Sequence, residues 1–459
     1  MINIKSDSRK IVPGDTYVAL RGISSDGHSY IEKAIEKGAT KIVAEEGTYS
    51  VPTLIVPDTR EYLNNYLEEH YNKYLDEMNI IAVTGTNGKT TTAKLAHDFL
   101  NMIGSKTAYI GTIGFYIGEK VCDLPNTTVD ICDTYELLLD AYDRGCNNVV
   151  FEVSSHALVM GRVKTLKYDY AIFTNLTQDH LDYHKTMGNY ALAKQIAFKN
   201  IKENGVAIIN NDDKYKEYFL LDQNKNITYG FSDSDFKITN YSTSIHGTSF
   251  TFEHNKEKCR IDSKLIGKYN IYNLISIVAL LSTMGLDNKV LKEYIPKLNS
   301  PVGRMDTIEY KNNRIIIDYA HTPDAIEKII STVREVTDGN IYVVFGCTGD
   351  RDRLKRPIMT TYVAHNSKYF IITNDDPHYE DPAQIVDDMI KDLDLDNYEV
   401  CLDREEAIIK GIKLLKENDV LFILGKGHEE NIIVRDKKIP FNDRKVVEEY
   451  LKKIQLGDD

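Results

Sequence analysis

The pattern of apolar and polar positions divides this chain into three stretches. Up to residue 78 the apolar runs are short, at 16–20, 41–44 and 53–56, and a polar stretch with helical spacing follows at 61–77. This predicts a small α/β unit. From residue 79 apolar runs alternate with helical stretches. Ile80-Ile81-Ala82-Val83 ends in a glycine-rich turn, and a helix is predicted over 90–102. Further buried strands are predicted at 107–110, 148–152, 171–175 and 206–210, with helices between them, which implies a mostly parallel sheet. Segments 248–253 and 258–265 alternate around the turn His254-Asn255 and predict an antiparallel appendage; 271–284 reads as a buried helix.

Asn299-Ser300-Pro301 and Gly303 break the pattern. Beyond them strands are predicted at 314–318, 341–345, 369–373 and 420–424, again with helices between. The expected fold class is therefore α/β in three domains. A small N-terminal α/β domain occupies 1–78. A central domain at 79–298 carries a P-loop-type, mostly parallel sheet. A C-terminal domain at 299–459 is a doubly wound, Rossmann-like sheet. The length of 459 residues fits about three domains.

Composition removes several functions. The net charge of −13 argues against nucleic acid as a partner of the whole surface, while leaving room for a local phosphate site. No apolar run reaches the roughly 18 residues of a membrane-spanning helix, so no membrane insertion is expected. The first residues lack an apolar leader segment, so a cytoplasmic location is expected. The six cysteines are scattered without a Cys-x-x-Cys pair, which predicts neither a disulfide framework nor a zinc site.

Candidate chemistry collects at predicted strand ends. Gly85-Thr86-Asn87-Gly88-Lys89-Thr90-Thr91 follows a strand and opens a helix, the context of a phosphate loop. There the backbone N–H groups face an anion, Lys89 neutralises phosphate oxygens and the Thr90 hydroxyl ligates Mg²⁺. Val83 stands where the strict pattern has its first glycine, so the loop is a shortened variant. Glu152, in Glu152-Val153-Ser154-Ser155-His156, reads as a Mg²⁺ ligand or as a solvated rim residue, and the second is favoured for a lone Glu. His180, in a polar string from Thr174 to His184, reads as a metal ligand or a loop histidine. Lys194, in Tyr190-Ala191-Leu192-Ala193-Lys194, reads from its surroundings as a solvated helix lysine. In the last stretch four polar strings end four strands: Asp318-Tyr319-Ala320-His321, Gly346-Cys347-Thr348-Gly349-Asp350-Arg351, Asn374-Asp375-Asp376-Pro377-His378 and Gly425-Lys426-Gly427-His428-Glu429. Their regular spacing implies one shared crevice.

Together with the strings KYNIYN, PVGRMD and DSRKIVPGD, these motifs resemble the Mur ligases over almost the whole chain. Within them the chain is most similar to the UDP-N-acetylmuramoyl-tripeptide synthetases, the MurE type. The resemblance implies three domains, for the UDP end, for ATP and for the incoming amino acid. It implies an ADP-forming ligase: a precursor carboxylate attacks the ATP γ-phosphorus, and the amino group of a free amino acid then displaces phosphate from the acyl phosphate. Gly85 to Thr91 match the ATP loop. Thr90, Glu152, His180 and a carbamylated Lys194 match ligands of two Mg²⁺ sites. Asn273, Arg304 and Asp318 match contacts to adenine and ribose. Ser8, Thr127, Thr128, Ser154 and Arg162 match contacts to the UDP-muramoyl-dipeptide. Arg351, Asp375, Asp376, His378, Gly425 and Glu429 match the amino-acid pocket. A monomer is expected.

The chain departs from that family in three places. It opens almost directly at Asp7-Ser8-Arg9, where the family carries a leading helix. Val129 follows Thr127-Thr128 where proline is common. Asp375-Asp376-Pro377-His378 replaces the Asp-Asn-Pro-Arg of enzymes that add meso-diaminopimelate. The last change adds an acid and removes a guanidinium, a shift of roughly two charge units toward an ammonium-terminated side chain. It favours L-lysine, with meso-diaminopimelate a close second. The competing readings are another member of the superfamily, such as a folylpolyglutamate synthetase, and a non-catalytic, nucleotide-switched binding paralogue.

Overall fold

Runs rich in β-branched residues, each closed by a polar or glycine-containing loop, form the strands of this protein. The computed structural model describes residues 2–22, 25–394 and 396–456. They fall into two compact units. The first comprises Met1–Ile238, Glu253–Glu257 and Tyr272–Asp287; the second comprises Thr239–Phe252, Lys258–Ile271 and Asn288–Asp459.

In the first unit β1 (Ile4–Lys5), β2 (Thr16–Val18), β3 (Lys41–Ala44) and β4 (Thr53–Ile55) form a parallel sheet with α1 (Ile31–Glu36) and α2 (Thr59–Leu75). Asp58 caps α2 by accepting the Arg60 and Glu61 amides. Leu63 and Leu67 of α2 share a core with Val18, Val43, Ile80 and Phe151, so the small sheet and the larger sheet of this unit bury apolar surface together.

The larger sheet contains β5 (Asn79–Thr84), β6 (Thr107–Gly111), β7 (Gly114–Ile117), β8 (Glu119–Cys122), β9 (Asn148–Glu152), β10 (Tyr168–Phe173), β11 (Ile201–Asn210) and β12 (Lys225–Gly230). Their spatial order is β12-β11-β10-β5-β9-β6-β7-β8. Neighbouring strands pair parallel except in β6–β7 and β7–β8, which are antiparallel, so β7 alone runs against the rest. The connecting helices are α3 (Lys89–Met102), α4 (Ile131–Asp143), α5 (Ser155–Val159), α6 (Leu181–His184) and α7 (Met187–Lys199). Central β5 lies between β9 and β10, so its loop opens beside the carboxyl ends of both neighbours, where ligands of open α/β sheets bind.

β13 (Phe236–Ser244), β14 (Gly247–His254) and β15 (Glu257–Ser263) follow as neighbours in chain order, and then α8 (Lys268–Thr283) and α9 (Asn288–Tyr294). The sheet of the second unit contains β16 (Asp306–Tyr310), β17 (Asn313–Asp318), β18 (Ile341–Phe345), β19 (Tyr369–Ile372), β20 (Tyr398–Val400) and β21 (Val420–Leu424). Its order is β16-β17-β21-β18-β19-β20, and only β16 is antiparallel. Period-two alternation gives this sheet two apolar faces. Ile316, Val343 and Phe422 pack with α10 (Pro323–Arg334), α11 (Lys355–Asn366) and α12 (Pro382–Ile390). Ile315, Ile317, Val344 and Leu421 pack with α13 (Arg404–Leu414) and α14 (Asp443–Leu456). A hairpin, β22 (Asn431–Val434) and β23 (Lys437–Pro440), lies between β21 and α14 in the chain.

Several elements differ from the sequence expectation. The strand predicted at 171–175 is Tyr168–Phe173, because Thr174 and Asn175 leave the ladder to hold the glycine-rich loop. The hairpin β7–β8 and the strands β12, β13, β16, β20, β22 and β23 were not predicted. Most are edge or hairpin strands whose exposure weakens apolar alternation.

Candidate functional site

The loop after β5 is built with no spare room. Gly85 and Gly88 have φ of 150° and 82°. A side-chain carbon at Gly85 would lie 1.9 Å from Thr174 Oγ1, and one at Gly88 would lie 2.5 Å from Asn273 Oδ1. Only glycine fits both the space and the backbone. The Thr86 and Asn87 amides donate to Asn175 O and Asn175 Oδ1 at 2.8 and 3.0 Å, and Thr174 Oγ1 donates to Asn87 O at 2.6 Å. Lys89 Nζ folds back on its own loop, donating to Gly85 O and Thr86 O. Thr90 and Thr91 lie in the first turn of α3, where amides have no acceptor within the helix and the dipole favours an anion.

Glu152, the last residue of β9, is wholly buried. The reading of a lone Glu as a solvated rim residue is therefore wrong here: parallel strands cover it on both sides. Its carboxylate accepts from Tyr109 Oη, from Thr112 N at 3.0 Å, from Thr112 Oγ1 at 3.1 Å and from Thr90 Oγ1 at 2.9 Å. Tyr109 and Thr112 were not singled out from the sequence. Thr112 Oγ1 also meets Thr127 Oγ1 at 3.0 Å, which extends the cluster. Thr128 Oγ1 donates to Glu152 O and accepts from Ser154 N. Arg162 donates to Thr128 O at 2.9 Å, and Ser154 caps α5. Thr127, Thr128, Ser154 and Arg162 thus surround the strand end that carries Glu152. Ser8 is buried on a short turn capped by Asp7.

Lys194 overturns its local reading as well. It is 1% exposed, and its Nζ donates to Gly85 O at 2.7 Å. Burial, followed by the nearby Lys89 charge, pushes its amine well below the ordinary lysine range. α7 brings it there because Tyr190, Ala191, Ala193 and Ala197 pack inward on the same helix. His180 lies in the loop before α6, in left-handed backbone (φ 52°), with its side chain 47% exposed. Its ring packs edge-on against His156 with centroids 4.9 Å apart.

The second unit carries a separate polar rim at the carboxyl ends of its strands. Asp318 accepts from Met305 N and Ala320 N, and burial raises its carboxyl to about 6. Arg304 lies 5.0 Å over the Tyr319 ring. Gly425 (φ 111°) packs on Asp375, where a side-chain carbon would lie 2.3 Å from Oδ2. Lys426, missed at the sequence level, is the centre of the rim. It is wholly buried, and its Nζ lies 2.8 Å from Asp376 Oδ1, 2.8 Å from Glu429 Oε2 and 3.9 Å from Asp375 Oδ1. These three carboxylates thus share one internal cation. Arg404 and Asp443 form a buried bidentate pair, and Arg404 also donates to Asn374 O and Leu424 O, fixing two strand-end loops. Residues so far apart in sequence leave no local signal. His378 has φ 50°; its amide donates to Ile433 O, and its carbonyl accepts from Arg435 N. Arg351 is exposed. Asn273 belongs to the first unit, whereas Arg304 and Asp318 belong to the second.

The donor set fits ATP with Mg²⁺. Thr90 and Glu152 place a hydroxyl and a carboxylate oxygen together, the hard ligands Mg²⁺ takes, behind a glycine loop and a lysine. A phosphate loop ahead of buried acidic and basic groups, followed by a doubly wound domain with its own polar rim, defines a nucleotide-dependent ligase of three-domain α/β type.

Comparison with known proteins makes this specific. The Mur ligase family catalytic domain matches residues 2–84, the Mur ligase middle domain 83–281, and the Mur ligase glutamate ligase domain 303–427. The chain is 40% identical over 462 residues to UDP-N-acetylmuramoyl-L-alanyl-D-glutamate–2,6-diaminopimelate ligase of Clostridium botulinum, covering 98% of this chain and 95% of that one. A solved structure of a ligase of the same name superposes with a TM-score of 0.73 at 31% identity, over 99% of this chain and 95% of that one. Folylpolyglutamate synthase of Mycobacterium tuberculosis, at 15% identity over 79% of this chain and 91% of its own, with a TM-score of 0.63, shares the fold alone. The chain belongs to the Mur ligase family and is an ATP-dependent ligase of the MurE type.

Proposed function

We propose that this protein joins meso-diaminopimelate to UDP-N-acetylmuramoyl-L-alanyl-D-glutamate in peptidoglycan synthesis, converting ATP to ADP and phosphate. The observation that carries the ligase half is the convergence on Glu152. One buried carboxylate touches the phosphate-loop residue Thr90 and, through Thr112, the precursor-matching residue Thr127. The two substrates of the first step, ATP and a carboxylate, would meet there.

In this reading the Gly85–Thr91 loop and Lys89 hold the ATP phosphates, and Thr127, Thr128, Ser154 and Arg162 orient the precursor. Thr90 and Glu152 would hold one Mg²⁺; His180 and the carbamate of Lys194 would hold a second. Bound Mg²⁺ would offset the repulsion between phosphate and the attacking carboxylate. Burial lowers the Lys194 amine and so favours the free base that CO₂ requires: nitrogen bonds to carbon as one C–O π bond opens, a proton leaves, and the product is anionic.

For the amino acid, the sequence argument for L-lysine relied on Asp376 as a free acid. Asp376 Oδ1 instead accepts from Lys426 Nζ and from Ile433 N, both at 2.8 Å. Its charge is already engaged by Lys426, so Asp376 is not a free acid aimed at an ammonium-terminated substrate. The relatives named above as diaminopimelate ligases support the same choice. The test is kcat/KM for meso-diaminopimelate and L-lysine with one precursor. At least a tenfold preference for diaminopimelate is expected; a tenfold preference for lysine would reverse the assignment.

A further inference from the structure

The two oxygens of the Glu152 carboxylate have different donors. Oε2 accepts from Thr90 Oγ1 at 2.9 Å and from Thr112 Oγ1 at 3.1 Å. Oε1 accepts from Thr112 N at 3.0 Å and from the Tyr109 hydroxyl. Strand β6 makes that last contact possible. Alternation along a strand puts residues 109 and 111 on one face. Residue 111 is glycine, and a side-chain carbon there would lie 2.3 Å from Glu152 Oε1 and 2.5 Å from Tyr109 Oη. The hydroxyl and the carboxylate therefore meet in space that any other residue at 111 would fill.

The Tyr109 ring is held as firmly as its hydroxyl. It is wholly buried and packs edge-on against His97 at 6.2 Å and Tyr116 at 5.7 Å between centroids. His97 and Tyr116 meet each other edge-on at 6.3 Å, so the three rings brace one another. Tyr116 is also the direct cross-strand partner of Tyr109 on β7. The Ile113 amide, which can only donate, lies 3.5 Å from Tyr109 Oη and leaves the hydroxyl proton for Glu152.

Resting on the reading of Thr90 and Glu152 as Mg²⁺ ligands for ATP, we infer that Tyr109 is a positioning residue for that ion. Its hydroxyl pins Oε1, so that Oε2 stays beside Thr90 Oγ1, where the ion is taken up. Hydrogen-bond partners of a ligating side chain are worth roughly tenfold to a hundredfold in metal affinity, because a ligand left to turn must be fixed by the ion itself.

The experiment is calorimetric ADP binding over a range of Mg²⁺ concentrations, beside the Mg²⁺ dependence of ligation with ATP, precursor and meso-diaminopimelate saturating. Tyr109→Phe keeps the braced ring and removes only the hydroxyl. It should raise the Mg²⁺ concentration that half-supports ADP binding by roughly tenfold or more, with ADP binding in EDTA unchanged. Its ligation deficit should shrink as Mg²⁺ is raised. Tyr116→Leu, which keeps the hydroxyl but removes one brace, should shift the same half-point by a smaller factor. Should Tyr109→Phe prove insoluble, Tyr116→Leu carries the test. A merely structural role would lower the thermal midpoint and leave the Mg²⁺ half-point where it is. That result, in Tyr109→Phe or in the variant that stands in for it, would overturn the inference. A wild type whose ADP binding ignores Mg²⁺ would instead overturn the reading of Thr90 and Glu152 as ligands.

Discussion

Lys89 and Lys194 donate to the same oxygen, the carbonyl of Gly85, at 3.1 and 2.7 Å, although they are matched to different parts of the site. Two ammonium groups on one acceptor repel, and burial followed by the Lys89 charge lowers the Lys194 amine. A carbamate at Lys194 would turn the repulsion into attraction.

That relationship gives the first prediction. Lys194→Ala should lower ligation by about a thousandfold or more, on the order of 4 kcal/mol of transition-state stabilisation. Short carboxylates added to the assay should restore part of it. Isotope-labelled bicarbonate should give a carbamate carbon signal in the wild type that is missing in the variant. Wild-type turnover in Lys194→Ala would remove this residue from the site.

Glu152→Gln keeps the shape of the buried side chain but removes its charge. Ligation should fall at least a hundredfold while the thermal midpoint moves by only a few degrees. A variant that turns over normally would show that the carboxylate serves packing alone.

Among the described residues, Lys426 is the only ammonium paired with Asp375, Asp376 and Glu429. Lys426→Met should leave uncompensated buried charge and destabilise the fold by about 3–5 kcal/mol. The denaturant midpoint checks this. An unchanged midpoint would mean the acids are protonated or hydrated in the native state.

Asp318 supplies a pH test. Burial raises its folded carboxyl from 3.8 to about 6. A raised acid contributes stability that is complete below 3.8 and is lost as pH rises through about 6. Asp318→Asn removes this titration. The stability of the variant minus that of the wild type should therefore grow by roughly 2 kcal/mol between pH 4 and pH 6.5. A difference that does not change with pH would contradict the assignment.

The central strands were legible because parallel strands are apolar on both faces. β9, β18 and β21 match the predicted bounds. The polar strings at strand ends were legible for the same reason, since polarity begins where burial stops. Burial of individual polar side chains was not legible. Lys194 and Glu152 look solvated from their neighbours, and only the crossing of α7 and β9 with the β5 loop covers them. Lys426 was visible in its string, but its three acidic partners come from two loops some 50 residues apart. The charge count behind the lysine preference covered one loop and omitted the cation supplied by the other.

The most direct test of the account is ADP release by the purified wild-type protein, with each component omitted in turn. The account predicts that ADP appears only when ATP, Mg²⁺, UDP-N-acetylmuramoyl-L-alanyl-D-glutamate and meso-diaminopimelate are all present, in equal amount to a product heavier by one diaminopimelate residue. ADP release at the same rate without precursor or amino acid would contradict it and indicate a nucleotide-switched protein.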